Sequence, residues 1–445
     1  MKQPAVNVDA ARIDPQATLA KVRNRILPLL MAAFVVSYVD RVNVGFAAIT
    51  LSKDIGLTAS MYGLGAGLVF FGYCIFELPS NLALERFGAR RWLARIMITW
   101  GLIGCCMALV QGPTSFYVLR FLLGAAEAGL FPGVILYLTY WLPGQYRARY
   151  IAMFALSIPL ANVVGAPVSG ALLDLDGMLG VKGWQWVFIL EALPAVVLGV
   201  LVLLFLSDKP KDARWLSEGE RKWLQGEIDR EAAGRTEHRH LPLRMLMDAR
   251  VLVFALVFFS TAIPSYGLSL WMPQIVKSLG HTNVNTGFIV AIPFVFGCAS
   301  LLLMGHSSDR RQERLWHAIG AALMAAFGMA LGAASSNTAL QLMGLCIAAT
   351  GIYGLKGPFL TLVSEAFGSA NAAAGIALVS TFGNLSGFVA PYMVGVIIER
   401  FGSYRFGLWF LAIMPFVGAV VLFGWSRHRL AHLNPQPESC PPTSA

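Results

Sequence analysis

Charge is what this sequence has least of. Asp, Glu, Lys and Arg make up 13% of its 445 residues, where a soluble chain carries about a quarter. Two or three water-soluble domains, the ordinary reading of such a length, are therefore excluded. Cysteine is sparse too. Cys74, Cys105, Cys106, Cys298, Cys346 and Cys440 show no metal-ligand spacing, and five of them fall within apolar runs, so neither a disulfide framework nor a zinc site is expected. His238, His240, His281, His306, His317, His428 and His432 lie in loops or near the ends of apolar runs. No nucleophile or metal constellation accompanies them, and the chain is not expected to be an enzyme or to hold a metal or cofactor. No small-residue cleavage site follows the first apolar run, which reads as a retained span.

What is abundant is hydrocarbon. The sequence is 57% hydrophobic with a mean hydropathy of +0.64, gathered into stretches long enough to cross about 30 Å of bilayer core. Apolar runs fall near 26–48, 60–84, 92–111, 115–138, 148–173 and 186–206, then near 250–277, 285–305, 314–334, 339–363, 372–396 and 405–427. The expectation is an all-α integral membrane protein of twelve helices. It has a tail over 1–25, a six-helix bundle over 26–206, a linker over 207–249, a second bundle over 250–427 and a tail over 428–445. Within the linker, the stretch from Trp215 to Ala232 places Trp215, Trp223 and Leu224 among charges, which predicts a partly helical surface segment.

The net charge of +10 would suit a nucleic-acid binder if it lined one face of a soluble domain. Here the basic residues cluster between apolar runs, so they report orientation and no nucleic-acid partner is expected. Lys21, Arg23 and Arg25, then Arg86, Arg90, Arg91 and Arg95, then Arg147 and Arg149, then Arg310, Arg311 and Arg314, and finally Arg427 and Arg429 all fall on one side. That side is read as cytoplasmic, with both termini in it. The two halves also echo each other: Glu85-Arg86 after the second run matches Asp309-Arg310-Arg311 after the eighth, as expected of two related six-span bundles.

With these loops in place the chain resembles the major facilitator superfamily, whose signature between spans two and three is an acidic residue, a basic residue, a Gly and further basic residues. It is most similar to the anion:cation symporter branch, which takes up sugar acids, hexuronates, tartrate, phthalate and hydroxyphenylacetate. The resemblance runs through YVDRVNVGFA (38–47), RFGARRWLARIMITWG (86–101), RFLLGAAEAGLFPGVILYLTYWLP (120–143), GWQWVFILEALPA (183–195), LWMPQIVK (270–277) and GNLSGFVAPY (383–392). Asn81 and Glu85 depart from the usual Gly and Asp, and Leu360 stands where many relatives have an aromatic. The resemblance implies secondary transport of a small organic anion by a monomer in the bacterial inner membrane. The anion is an aromatic carboxylate, a hydroxy-diacid or a sugar acid, and the proton is the coupling ion.

Charges inside spans are costly enough to demand a reason. Asp40 and Arg41 sit in the first run, Glu77 in the second, Arg120 and Glu127 in the fourth, and Lys356 in the tenth. Counting about 1.5 Å per residue brings Asp40, Arg41 and Arg120 to nearly one depth, with Glu127 two turns from Arg120 on the same face. A carboxyl in such a place holds its proton according to how near a guanidinium stands. One reading assigns Arg41 to the substrate carboxylate and Asp40, Glu127 and Arg120 to proton coupling, as the resemblance also implies; the other is a static ion-pair lock between spans one and four. Glu77 is expected to pair with loop arginines. Glu85, Arg86, Arg90, Asp309 and Arg310 form a candidate gate or simple orientation charge. Lys356 either snorkels to the surface or contacts anion. Tyr38, Tyr73, Gln274, Ser380 and Asn384 are candidate pocket residues or interhelical hydrogen-bond glue. Proton-coupled uptake leads; efflux by proton exchange and a non-transporting anion receptor are the alternatives.

Overall fold

The computed structural model describes residues 13–233 and 248–433. The outer parts of both predicted tails and the linker residues 234–247 lie outside the described residues. The elements are helices α1 (Pro15–Val42), α2 (Val44–Asp54), α3 (Ala59–Phe87), α4 (Ala89–Cys106), α5 (Pro113–Glu127), α6 (Leu130–Thr139), α7 (Gly144–Ala155), α8 (Ser157–Leu173) and α9 (Gly183–Phe205). They continue with α10 (Glu218–Ala233), α11 (Ala249–Lys277), α12 (Asn283–Arg311), α13 (Leu315–Ala334), α14 (Thr338–Gly354), α15 (Lys356–Asn384), α16 (Ser386–Phe401) and α17 (Tyr404–Leu433). Among the described residues there is no strand.

Among the described residues eleven segments are long and apolar enough to cross a membrane, and Ser157–Leu173 is a shorter apolar helix. The fifth expected span is broken at Leu156 into α7 and α8. Pro159 explains the break, because a continuous helix would drive its ring into the carbonyl four residues back. The first helix starts well before residue 26, at Pro15, where proline suits the first turn and the Asp14 carboxylate accepts from the Gln16 N–H at 2.9 Å. The loop expected at 364–371 is instead a helix interrupted at Gly368, whose φ of +70° suits glycine.

Two compact units result. The first takes in the described residues of Met1–Leu241 with Tyr266–Cys298 and Gly387–Gly407. Within it the later segments are held by buried polar contacts: the Tyr62 hydroxyl donates to the Leu270 carbonyl at 2.8 Å, and the Trp271 indole N–H donates to the Pro391 carbonyl at 3.2 Å. The expected linker helix is present as α10, and it is docked rather than free. Ser217 and Glu220 form a reciprocal capping box. Leu216 and Leu224 are buried, Trp215 stacks on Trp141 at 5.5 Å, and Glu231 bonds both Arg147 and the Gly144 N–H at the start of α7. Lys21 reaches Glu220 at 2.7 Å.

The second unit comprises the described residues of Pro242–Ser265, Ala299–Ser386 and Leu408–Ala445. Its α13 and α14 meet backbone to backbone: a Cβ on Gly344 would stand 2.6 Å from the Gly332 nitrogen and 2.7 Å from the Gly328 carbonyl oxygen. Small residues are the means of close packing where lipid competes equally for apolar side chains. Gly344→Leu should therefore cost at least about 1–3 kcal/mol and lower the melting temperature in detergent. Gly320→Ala, on the same α13 with open space around it, should leave that temperature unchanged or raise it.

Candidate functional site

The charged residues of the first run divide between two neighbourhoods because adjacent helical positions point about 100° apart. Arg41 turns toward α5. Its Nη2 donates to Glu127 Oε1 at 2.7 Å, with the two side chains 12% and 2% exposed, and the Ser37 hydroxyl donates to the same oxygen at 2.5 Å. The rings of Tyr73, Phe70 and Tyr38 lie 5.1, 5.5 and 5.9 Å from the guanidinium carbon, distances at which an aromatic face attracts a cation. Arg41 Nε is buried and has no hydrogen-bond partner among the described residues. The guanidinium thus keeps one donor in reserve beside its carboxylate.

Asp40 turns the other way. Its Oδ2 accepts from the Trp100 indole N–H at 2.6 Å and its Oδ1 from the Asn43 amide at 3.1 Å. Gly104 makes room for this carboxyl: a Cβ there would lie 3.4 Å from both Asp40 oxygens and 2.7 Å from the Ala192 methyl. Asn43 sits at the break between α1 and α2, where the chain can spare a polar side chain to Asp40.

Arg120 does not pair with Glu127, although both project from one face of α5. Fully buried, it donates over 3.4 Å to the Gly65 and Ala66 carbonyls of α3, and its Nη1 has no hydrogen-bond partner among the described residues. Beyond Glu127 the helix stops at Ala128 and restarts after Gly129, whose φ of +87° places it against Ser80. No side chain fits there, since a Cβ would come within 2.8 Å of the Ser80 Cβ.

The Major Facilitator Superfamily model matches residues 29–391. The chain belongs to this superfamily. It is a membrane transporter with many apolar helices, similar to proteins that carry organic anions by name. It is 46% identical to the "Putative tartrate transporter" of Agrobacterium vitis, over 91% of this chain and 90% of that one. It is 41% identical to the "Quinolone resistance transporter" of Acinetobacter baumannii, over 90% and 92%. In structure it is similar to a bacterial homologue of the human lysosomal transporter Spinster, with a TM-score of 0.77, 16% identity and coverage of 92% of this chain and 98% of that one.

The remaining predicted residues of this facilitator are scattered. Gln274 lies in α11 within the first unit, beside Tyr62. Lys356, Ser380 and Asn384 belong to the second unit, where Lys356 Nζ stands 4.6 Å from the Tyr353 ring. Of the candidate gate residues, Glu85 and Arg86 are exposed at the end of α3. Arg90 offers its backbone N–H to Asp208 at 2.8 Å, beside Gly88 with its φ of +88°. Asp309 pairs with Arg314 at 2.8 Å, and Arg310 is exposed. Glu77 makes no ion pair with a loop arginine among the described residues; its electrostatic neighbour is Arg41.

Sequence reasoning missed Ser37, Asn43, Phe70, Trp100 and Glu191. Glu191 was within reach, since it is a carboxyl inside the sixth apolar run and the cost of burying it is the same as for Asp40. Trp100 and Phe70 carried no such signal, being apolar side chains in apolar helices. Replacing Trp100 with Phe removes one of two donors to the buried Asp40 carboxyl and should cost about 1–3 kcal/mol. A double-mutant cycle of Trp100→Phe with Asp40→Asn, followed by melting temperature, should show losses that are less than additive.

Proposed function

We propose that this transporter takes up a small organic carboxylate together with protons, by alternating access in the bacterial inner membrane with both termini in the cytoplasm. The observation that carries the reading is the buried pair of Arg41 and Glu127. A carboxylate substrate and the Glu127 carboxylate compete for one guanidinium. When a proton adds to Glu127, its hold on Arg41 weakens, and Arg41 Nη2 and the spare Nε can turn to the substrate in a bidentate grip. Charge balances, because one carboxylate replaces another at the same cation. When the substrate leaves, Glu127 gives up its proton and recovers Arg41. Protonation of Glu127 and occupancy of Arg41 by an anion therefore favour each other, which is the linkage that symport requires.

Tyr38, Tyr73 and Phe70 hold the guanidinium in place through both halves of this exchange. Arg120, bonded to backbone carbonyls, supplies fixed positive charge to Asp40 and Glu127 without being consumed by either. We assign Gln274 to polar contact with cargo in the first unit and Lys356, Ser380 and Asn384 to contact in their own unit. The loop charges, Glu85, Arg86, Arg90, Asp309 and Arg310, are assigned to gating. No cofactor beyond the coupling proton is invoked, and the working unit is a monomer. The cargo class is aromatic carboxylate, hydroxy-diacid or sugar acid, and the similarity to a tartrate transporter supports the hydroxy-diacid. The similarity to a quinolone resistance transporter supports a second reading, efflux by proton exchange on the same site.

Proteoliposomes offered labelled carboxylates from outside, with and without an inward proton gradient, test this. Gradient-driven uptake of one acid should fall at least about tenfold in Arg41→Ala, the loss of a charge-assisted contact. Glu127→Gln should keep anion counterflow and lose gradient-driven accumulation. Uptake indifferent to both the gradient and Arg41 would overturn the proposal, and accumulation driven only by an outward gradient would replace it with efflux.

A further inference from the structure

On the side away from the basic loops, the first half of α3 runs antiparallel to α16 with little side chain between the two backbones. A Cβ on Gly67 would stand 2.7 Å from the Phe388 carbonyl oxygen; Gly63 meets the Pro391 carbonyl in the same way, and Gly395 that of Ala59. At the far end of this seam the Glu399 carboxylate accepts from the Ser60 N–H at 2.9 Å. The hydrogen bonds of Tyr62 and Trp271 tie α11 to the same two helices. All of these residues belong to the first unit. Gly63, Gly67 and Phe70 follow one another at helical spacing, so they share one face of α3.

The seam ends at Phe70. Three turns beyond Gly67, on the same side of the helix, Leu78 is 69% exposed, whereas Phe70 is 5% exposed. The Phe70 ring is held from three directions. On α16, a Cβ on Gly387 would stand 2.5 Å from the Phe70 Cγ, so glycine leaves the notch that the ring fills. On α11, the Tyr266 ring lies 4.6 Å away at an interplanar angle of 67°. On α1, the guanidinium carbon of Arg41 lies 5.5 Å from the ring centre. The last residue of the seam is thus one that covers the buried cation.

We propose that Phe70 is a positioning residue that links closure of the α3–α16 seam to Arg41. Tyr266 and Gly387 press the ring over the guanidinium while the seam is shut. When the two helices part, Phe70 keeps its neighbour Arg41 but loses the notch and the Tyr266 ring, and a ring without backing no longer bars water or an anion from the cation. The aromatic pair and the filled notch therefore stabilise the shut arrangement and contribute nothing to the open one. The use of this link in transport rests on the carboxylate-uptake reading above, with the seam on the outer side; the seam itself does not.

Hydrogen exchange of the purified protein in detergent reads the seam without any transport. Phe70→Ala should speed exchange over α16 at least about twofold, the least that loss of an aromatic pair allows. Exchange over α13 and α14 in the second unit should stay as it was, whereas a general loss of fold would speed both. Gly387→Ala, which pushes on the same ring from α16, should act likewise, and adding Phe70→Leu to it should bring exchange back toward the wild type by making room. In proteoliposomes Phe70→Ala should lower KM for a carboxylate supplied from outside and lower kcat with it, because more of the protein stands open to the outside and shuts less readily. A merely structural loss would lower kcat and leave KM alone. Unchanged exchange over α16 in both single variants, or a KM that stays or rises, would overturn the proposal. If wild-type uptake ignores both the gradient and Arg41, the uptake reading falls while hydrogen exchange still decides whether Phe70 holds the seam.

Discussion

An ion pair shielded from water organises the first unit. Arg41 and Glu127 join α1 to the end of α5, and each would be intolerable without the other, since removing one partner of a buried pair typically costs about 3–5 kcal/mol. Ser37 and the aromatic rings around Arg41 exist in relation to that pair: the hydroxyl fills a lone pair of the carboxylate, and the rings exclude water while tolerating a cation. The helix breaks beside it, at Asn43 and at Ala128-Gly129, put backbone irregularity where buried protein groups can satisfy it rather than in contact with lipid.

A device that exchanges partners also needs a scaffold that keeps still. In this protein the scaffold is glycine and small-residue packing. Gly72 and Gly124 bring α3 and α5 together, as Gly328, Gly344 and Gly351 do for α13 and α14 in the second unit. Backbones at such distances have no side-chain slack, so the charged residues they carry are held in fixed register. On the side of the basic loops, α10 adds a polar clamp to the first unit, with Glu231 closing over the start of α7 and Lys21 bound to Glu220.

The charged residues of the candidate site are conspicuous in the sequence itself. Asp40, Arg41, Arg120 and Glu127 stand out because hydrocarbon makes each charge conspicuous, and the rise of a helix is enough to bring the first three to nearly one depth with Glu127 two turns away. Their pairing was not legible. Arg120 and Glu127 share a face two turns apart, yet it is Arg41 from another helix that meets Glu127, while Arg120 faces backbone carbonyls. Side-chain reach across a helix interface depends on the rotation of both helices, which no spacing within one helix reports. The docked linker is a similar case: Trp215 and Leu224 signalled an amphipathic helix, but only packing shows that it covers Trp141 and meets Arg147.

The sequence by itself determined the membrane as solvent, the helical class and the short set of ionisable groups within apolar runs. These follow from the composition and length of apolar runs and from the cost of placing charge in lipid, quantities that add along the chain. The tertiary structure decided which acid meets which base, that Asn43 and Trp100 both donate to Asp40, and that the fifth span breaks before Pro159. These depend on distances between residues far apart in sequence, set by how glycine-lined helices rotate and approach one another.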